Sequence, residues 1–147
     1  MHTTVSELIA AHDAASKAFG SPTAGWLSYG QLRDLTADVR TSLHSFGIGR
    51  GDRVAIVLPN GPEMATAFIT IAQVAVTAPL NPAYREDEYA FYLEDLKAKA
   101  LVVMQEDDGP AVAAAKRLGI ALLRVSVDEG APAGQFTLSS DASGTAD

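Results

Sequence analysis

Four short runs of almost uninterrupted apolar residues, separated by longer segments of helical periodicity, constrain the fold of this chain most strongly. The runs are Arg53–Leu58, Ala75–Leu80, Ala100–Met104 and Ile120–Val127. A strand that is apolar on both sides of its pleat is typical of a parallel sheet, because helices then cover both faces. We therefore predict an α/β fold in which four buried strands form a mostly parallel sheet with helices on both faces.

The segments between these runs carry apolar residues three and four positions apart, which predicts amphipathic helices. Pro62 suits a first helical turn. Acidic residues at Glu86–Glu88 and lysines at the other end of the same segment complement a helix dipole. The predicted helices are Thr4–Ala15, Tyr29–Phe46, Glu63–Val74, Arg85–Ala98 and Gly109–Leu118.

The segment before Tyr29 supports two interpretations. Two short apolar runs, Ser16–Phe19 and Trp26–Tyr29, surround the turn-rich stretch Gly20–Gly25, and this arrangement predicts a β-hairpin. Alternatively, the first helix continues to Phe19 and ends at Gly20.

The length of 147 residues fits one domain. We assign residues 1–127 to the folded part of that domain. Residues 128–147 are rich in Gly, Ala, Ser and Asp, and their only large apolar side chains are Phe136 and Leu138. We therefore expect a linker-like tail there, with room for one short strand.

The composition excludes several classes of function. The 11 basic and 18 acidic residues give a net charge of −7, so the chain offers no basic face for nucleic acid. The absence of cysteine excludes disulfides, Cys-ligated zinc and thiol nucleophiles. We find no signal peptide and no run of ~20 apolar residues that could form a transmembrane segment. We therefore expect a cytoplasmic protein.

The motifs that could carry chemistry have simpler structural interpretations. The glycines of Gly47–Asp52 follow a helix and precede a strand, whereas a phosphate loop needs the reverse order, so they predict a helix end. The three histidines lack metal-ligand spacing, and Glu106–Asp108 is typical of a solvated loop. From its residues alone, we predict no catalytic, cofactor-binding or metal site in this chain.

Four sequence blocks together resemble a known family. They are similar to blocks of the AMP-forming acyl-CoA synthetases and the related adenylate-forming ligases. The blocks occur in the order and with the spacing of that family, over about residues 3–127. Val74 departs from the pattern, since the family commonly has glycine there. The blocks are Leu27–Leu32, Gly51–Asn60, Ala72–Tyr84, and Glu88–Leu93 with the strand Ala100–Met104.

The resemblance implies that this chain is one lobe of the large N-terminal domain of such a ligase. The parent would use ATP and Mg²⁺ to convert a carboxylic acid, in our interpretation a fatty acid, to an acyl-AMP, and would transfer the acyl group to CoA. The family's phosphate loop and catalytic lysine come after the matching region. Ser143–Thr145 echoes that loop but lacks its second glycine and its lysine. We therefore expect an inactive fragment without a cofactor of its own.

Such a fragment would have the remainder of the ligase as its partner and would tend to self-associate. Three alternatives stay open at this point. The parent could be an oxalate–CoA ligase, or an adenylating ligase that loads a carrier protein. The chain could also be a stand-alone, non-catalytic α/β binding module.

Ligands usually approach the loops at the carboxyl ends of parallel strands. Here these loops are Pro59–Gly61 and Asn81–Tyr84. We interpret Asn60, Asn81 and Tyr84 as candidates for the rim of an acyl or CoA channel. The alternative is ordinary turn chemistry, because Asn, Pro and Gly occur in turns without any ligand.

Overall fold

The computed structural model describes residues 17–21, 25–128, 131 and 133–141. The predicted helix Thr4–Ala15, together with His2 and His12, lies outside these residues. The described elements are β1 (Lys17–Ser21), β2 (Gly25–Ser28), α1 (Tyr29–Ser45), β3 (Arg53–Ile56), α2 (Pro62–Ala72), β4 (Val76–Pro79), α3 (Glu86–Leu96), β5 (Ala100–Met104), α4 (Pro110–Leu118), β6 (Ala121–Ser126) and β7 (Thr137–Ser140).

The main sheet has five strands in the order β4-β3-β5-β6-β7. β3 runs parallel to both β4 and β5, and β5 runs parallel to β6. Only the pairing of β6 with β7 is antiparallel within this sheet. The predicted α/β fold with a mostly parallel sheet is therefore confirmed.

Two hydrophobic layers enclose this sheet, one on each face. On one face, α1 and α2 pack against side chains such as Ile56, Val102 and Leu123. On the other face, α3 and α4 pack against the alternate positions, including Leu101 and Val103. Adjacent residues of β5 thus enter opposite layers, which explains why this strand is apolar at every position.

The hairpin predicted before the first described helix is present. β1 and β2 pair antiparallel, so the alternative of a helix that continues to Phe19 is wrong. Ser28 then begins α1 with a capping box: its hydroxyl accepts from the Gln31 N–H at 3.1 Å, and the Gln31 side chain accepts from the Ser28 N–H at 2.9 Å.

The glycine-rich string after α1 ends the helix, as predicted. Gly47 adopts a φ of +81°, and the Ile48 N–H returns to the Leu43 carbonyl at 2.9 Å. Asp52 closes the following turn by accepting from the Gly49 N–H at 2.8 Å. Lys99 donates to the Gly47 carbonyl at 2.6 Å and lies 3.4 Å from the Asp52 carboxylate.

This turn predicts a pH dependence of stability. The Gly49 N–H and then Lys99 hold the pKa of Asp52 below its ordinary value of 3.8, against the opposing effect of burial. A carboxyl whose pKa is lowered by folding stabilises the fold above the unfolded pKa and loses that contribution as pH falls through the folded pKa. Urea unfolding should be measured at about one-unit steps from pH 5 downward. The free energy of unfolding should fall less with decreasing pH for Asp52→Asn than for the wild type. Equal losses in the two proteins would contradict this assignment.

The prediction that Ala75–Leu80 forms a buried strand is wrong about burial. β4 lies at the edge of the sheet, and Val76 is 48% exposed. The Val76 N–H donates to the carbonyl of Asp52, just before β3, and the Leu80 N–H donates to the carbonyl of Ile56 in β3. By alternation, the backbone N–H and C=O positions of Thr77 and Pro79 point away from β3. Because Pro79 has no N–H, this edge lacks one of the donors that an added strand would need.

The segment predicted as a linker-like tail contributes the short strand β7 to the sheet. Phe136 and Leu138 are buried in the layer of α1 and α2. The Gly134 backbone is held by α2: its N–H donates to Glu63 at 3.0 Å, and its carbonyl accepts from the Thr66 hydroxyl at 2.5 Å. This segment is therefore packed against the sheet and α2.

Arg124 on β6 connects the far end of β7 to the loop after β5. Its guanidinium pairs with the Asp141 carboxylate through bonds of 3.1 Å from Nε and 3.1 Å from Nη2. The Nη1 atom donates to the carbonyls of Met104 and Asp107. The hydrogen bond to the Asp141 carboxylate raises the pKa of Arg124, so this contact stabilises the charged guanidinium.

Candidate functional site at the carboxyl edge of the sheet

The three candidate rim residues lie in loops at the carboxyl edge of the parallel strands. Asn60 follows β3 and is exposed, and Asn81 follows β4 and is also exposed. Tyr84 is half-buried one turn later, just before α3. The chain thus places all three at the edge where ligands approach parallel sheets.

Asn81 organises the turn between β4 and α3. Its side-chain oxygen accepts from the Ala83 N–H at 2.8 Å, which is the pattern of an Asx turn. Its carbonyl accepts from the Tyr84 N–H at 3.3 Å and from the Tyr89 hydroxyl at 2.7 Å. These bonds account for an asparagine at this position without a ligand.

Tyr84 belongs to an aromatic cluster at the start of α3. Its ring stacks on Tyr92 with the centroids 5.1 Å apart, and it meets Tyr89 edge-on at 5.6 Å. The hydrogen bond with Tyr92 raises the pKa of Tyr84, and burial raises the pKa of Tyr89. Both phenols are therefore protonated near neutral pH, so neither can serve as a general base there.

A cleft of about 330 Å³ opens beside Asn60 and Asn81. The side chains of the two asparagines do not line it, but the adjacent prolines do. Residues of α3, α4 and the loop before α4 complete the wall. The lining residues are Val57, Leu58, Pro59, Pro82, Tyr89, Asp107, Pro110 and Ala111.

Sequence reasoning missed Tyr89, Asp107, Pro110 and Ala111 as lining residues. The loops after β3 and β4 were correctly predicted to lie at the carboxyl edge of the sheet, but the sequence does not indicate that β5 lies next to β3. A strand order of β4-β3-β5 brings the loop after β5 to the same crevice. No periodicity in the sequence specifies that order.

A larger groove of about 610 Å³ lies elsewhere, between α1 and residues 135–138. Its walls include the exposed acids Asp34 and Asp38 and the buried side chains of Phe136 and Leu138. Its lining has no basic side chain.

The described residues do not fit the cofactors of an adenylating reaction. Within residues 17–21, 25–128, 131 and 133–141, no three His, Asp or Glu side chains converge in a way that could hold Mg²⁺. The sequence also has no glycine-rich loop with a lysine for the phosphates of ATP. No reaction step through ATP or Mg²⁺ can therefore be built from these residues.

The four described helices do not include one with the length and apolarity required to cross a membrane. α1 is the longest of them, with 17 residues. Its exposed face carries the acids that line the larger groove.

Comparison with known proteins identifies a matching family and several relatives of this chain. A family model described as AMP-binding enzyme matches residues 8–144. The oxalate–CoA ligase of Arabidopsis thaliana is 38% identical over 96 residues, which are 64% of this chain and 19% of that protein. The long-chain-fatty-acid–CoA ligase FadD13 of Mycobacterium tuberculosis is 36% identical over 80 residues, 52% of this chain and 15% of the relative.

A solved structure shares the architecture. ATP-bound MatB from Rhodopseudomonas palustris superimposes with a TM-score of 0.73 at 22% identity, over 84% of this chain and 25% of that one. This chain thus spans a fifth or less of the curated relatives described above. Because the family model matches far more than half of the sequence, the chain belongs to the family of AMP-binding enzymes.

Proposed function

We propose that this chain is the N-terminal portion of an AMP-forming acyl-CoA synthetase. The observation that carries the proposal is the family match over residues 8–144, with relatives of which the chain spans less than a fifth. The parent would join a carboxylic acid to AMP at the expense of ATP and would then form a thioester with CoA. Adenylation serves this chemistry because AMP is a far better leaving group than the oxygen of a free carboxylate.

We propose a fatty acid as the substrate of the parent. The similarity to FadD13, named as a long-chain-fatty-acid–CoA ligase, supports this choice. The similarity to an oxalate–CoA ligase supports a small dicarboxylate as the rival. These two acids differ so much in apolar length that a competition assay with the parent would separate them.

The role that we propose for this part of the enzyme is structural. Its sheet supports the loops of Asn60, Asn81 and Tyr84, which we propose as the rim of the acyl or CoA channel. Their place at the carboxyl edge of parallel strands supports this proposal. The chain itself would have no ligase activity, since it offers neither a phosphate loop nor a cluster for Mg²⁺ among its described residues.

Exchange of pyrophosphate into ATP tests the proposed reaction. We expect no acid-dependent exchange from the 147-residue chain, and exchange with a fatty acid from the natural gene product.

A blot of fractionated source cells with an antibody to this chain should show a cytoplasmic band well above 15.4 kDa. A band at 15.4 kDa, or tight ATP binding by the chain alone in calorimetry, would contradict the proposal.

The proposal also predicts self-association of the chain by itself. Among the residues that the structure describes, four large apolar side chains are exposed, and we propose that the remainder of the ligase covers some of them. Sedimentation at several protein concentrations should show a mass that rises with concentration. A constant monomer mass would instead favour the stand-alone module. The four residues are Phe68, Val76, Phe91 and Val127.

A further inference from the structure

We propose that Asn60–Gly61, in the loop between β3 and α2, is a modification site at which the fold leaves the asparagine free to convert to isoaspartate. The site goes beyond the proposed ligase and does not depend on it, because the reaction consumes only water. The sequence contains two asparagines, Asn60 and Asn81, and only Asn60 is followed by a residue with a backbone N–H.

The reaction at an asparagine–glycine pair begins at the backbone nitrogen of the glycine. The deprotonated Gly61 nitrogen attacks the Cγ atom of the Asn60 side chain, a five-membered succinimide closes, and the side-chain nitrogen leaves as ammonia. Water then opens the ring at either carbonyl and yields aspartate or isoaspartate. One water is consumed, one ammonia is released, and a neutral amide becomes a carboxylate. Glycine favours the attack because it has no side chain to obstruct it.

The loop holds neither of the two reacting groups. Asn60 and Gly61 are both exposed. In the part of the chain that the structure describes, neither the Asn60 amide nor the Gly61 N–H has a hydrogen-bond partner. The Gly61 carbonyl accepts from the Ala65 N–H at 3.3 Å, and the nearby Glu63 carboxylate accepts from the Gly134 N–H at 3.0 Å. Ring closure at Asn60 therefore does not require a protein hydrogen bond to break first.

Asn81 is protected in two ways. It is followed by Pro82, whose nitrogen carries no proton and cannot become the nucleophile. Its side-chain oxygen also accepts from the Ala83 N–H at 2.8 Å, which holds the amide in an Asx turn. The two asparagines thus lie in loops at the same edge of the sheet but differ in both requirements of the reaction.

The loop before α4 shows a different protection. Asp108 and Gly109 precede Pro110 there, in the same order of side chain, glycine and proline that begins α2. The Gly109 N–H, however, donates to the Asp107 carboxylate at 2.8 Å. The nitrogen that would attack is therefore engaged in the loop before α4 and free in the loop before α2.

Conversion changes both the charge and the backbone of the loop after β3. A carboxylate forms beside the N-terminus of α2, where the helix dipole favours a negative charge. Isoaspartate also routes the main chain through the side-chain carbon, which adds one methylene between β3 and α2. The class of enzyme that acts on such a product is a carboxyl methyltransferase, which esterifies the isoaspartyl carboxylate with S-adenosylmethionine.

Incubation of the folded 147-residue chain at neutral pH for several days, followed by tryptic digestion, tests the proposal. Both asparagines fall in one peptide, residues 54–85, which contains no aspartate. Mass spectrometry should show a gain of about 1 Da at Asn60 and none at Asn81. A protein isoaspartyl methyltransferase with labelled S-adenosylmethionine should then label this peptide. Absence of the mass gain at Asn60, or a gain at Asn81 alone, would overturn the proposal.

The matched control is Asn60→Gln, whose longer side chain would have to close a six-membered ring. We expect its peptide of residues 54–85 to stay unlabelled over the same period. Label that persists in this peptide of Asn60→Gln would place the modification at another residue and would also overturn the proposal.

Two comparisons separate the effect of the fold from that of the dipeptide. A synthetic peptide of residues 57–65 contains the same pair without the fold, and the folded chain should react within about tenfold of its rate, because no local opening has to come first. Pro82→Gly creates a second asparagine–glycine pair, which the bond from the Ala83 N–H should slow at least about fivefold relative to Asn60. Circular dichroism verifies that this variant folds. A slower reaction of the folded chain, or equal rates at the two pairs of Pro82→Gly, would contradict the role assigned to the fold.

Discussion

Replacing Phe136 with alanine is expected to lower the free energy of unfolding by about 4 kcal/mol, the usual cost of removing a buried phenylalanine. Phe136 is only 5% exposed and packs with Leu138 in the layer formed by α1, α2 and the sheet. Loss of its ring leaves a cavity between β7 and α1 that the apolar neighbours can close only in part. Urea unfolding followed by circular dichroism measures the change.

Phe91→Ala is the matched control, because the same side chain is removed from a site that is 63% exposed on α3. We expect a loss of under about 1 kcal/mol there. The comparison decides whether residues after 127 belong to the folded unit. Equal, small losses at both positions would support a linker-like tail, whereas a large loss at Phe136 alone would extend the folded unit to Asp141.

The architecture was predictable because parallel strands that are covered on both faces leave a distinctive apolar run. Ala100–Met104 is such a run, and its residues do enter both layers. The same reasoning was wrong about the burial of β4. Ala75–Leu80 is also mostly apolar, with Thr77 as its one polar residue, but burial also depends on position in the strand order, which local composition does not specify. An apolar edge strand and a central one thus share one sequence pattern.

The candidate site was less predictable than the fold. The loops after β3 and β4 were identified from the rule for parallel strands, and they do lie at the carboxyl edge. The cleft, however, brings Val57 together with Asp107, fifty positions along the chain, through the adjacency of β3 and β5. The family, in contrast, was predicted from the residues of four sequence blocks in their order along the chain, and not from an identified catalytic or binding site.

The segment before β7 shows that the backbone hydrogen bonds of one residue to a distant helix need not leave any recognisable pattern in the sequence. Gly134 lies in a stretch of small and polar residues that reads as a linker. In the fold, its N–H and carbonyl are both held by the first turns of α2, and Ala133 beside it is buried. Nothing in the spacing of Glu63 and Thr66 indicates a partner seventy residues away.

Gly134→Ala is therefore expected to cost about 3 kcal/mol of unfolding free energy, from backbone strain and overpacking together. Gly134 has a φ of +92°, where side chains other than glycine are strained. A Cβ here would also lie 2.7 Å from the Thr66 methyl carbon. Thr66 cannot readily turn away, because it is fully buried and its hydroxyl donates to the Gly134 carbonyl.

Two comparisons separate the strain from the clash. Gly51 has nearly the same φ, +90°, but open space around its Cβ position, so Gly51→Ala should cost only about 1 kcal/mol. Thr66→Ser removes the methyl group and keeps the hydroxyl, so the double variant Thr66→Ser/Gly134→Ala should recover the steric part of the loss. If Gly134→Ala costs no more than Gly51→Ala, residues 133–136 do not pack on α2 as described, and the predicted loss at Phe136 should vanish with it.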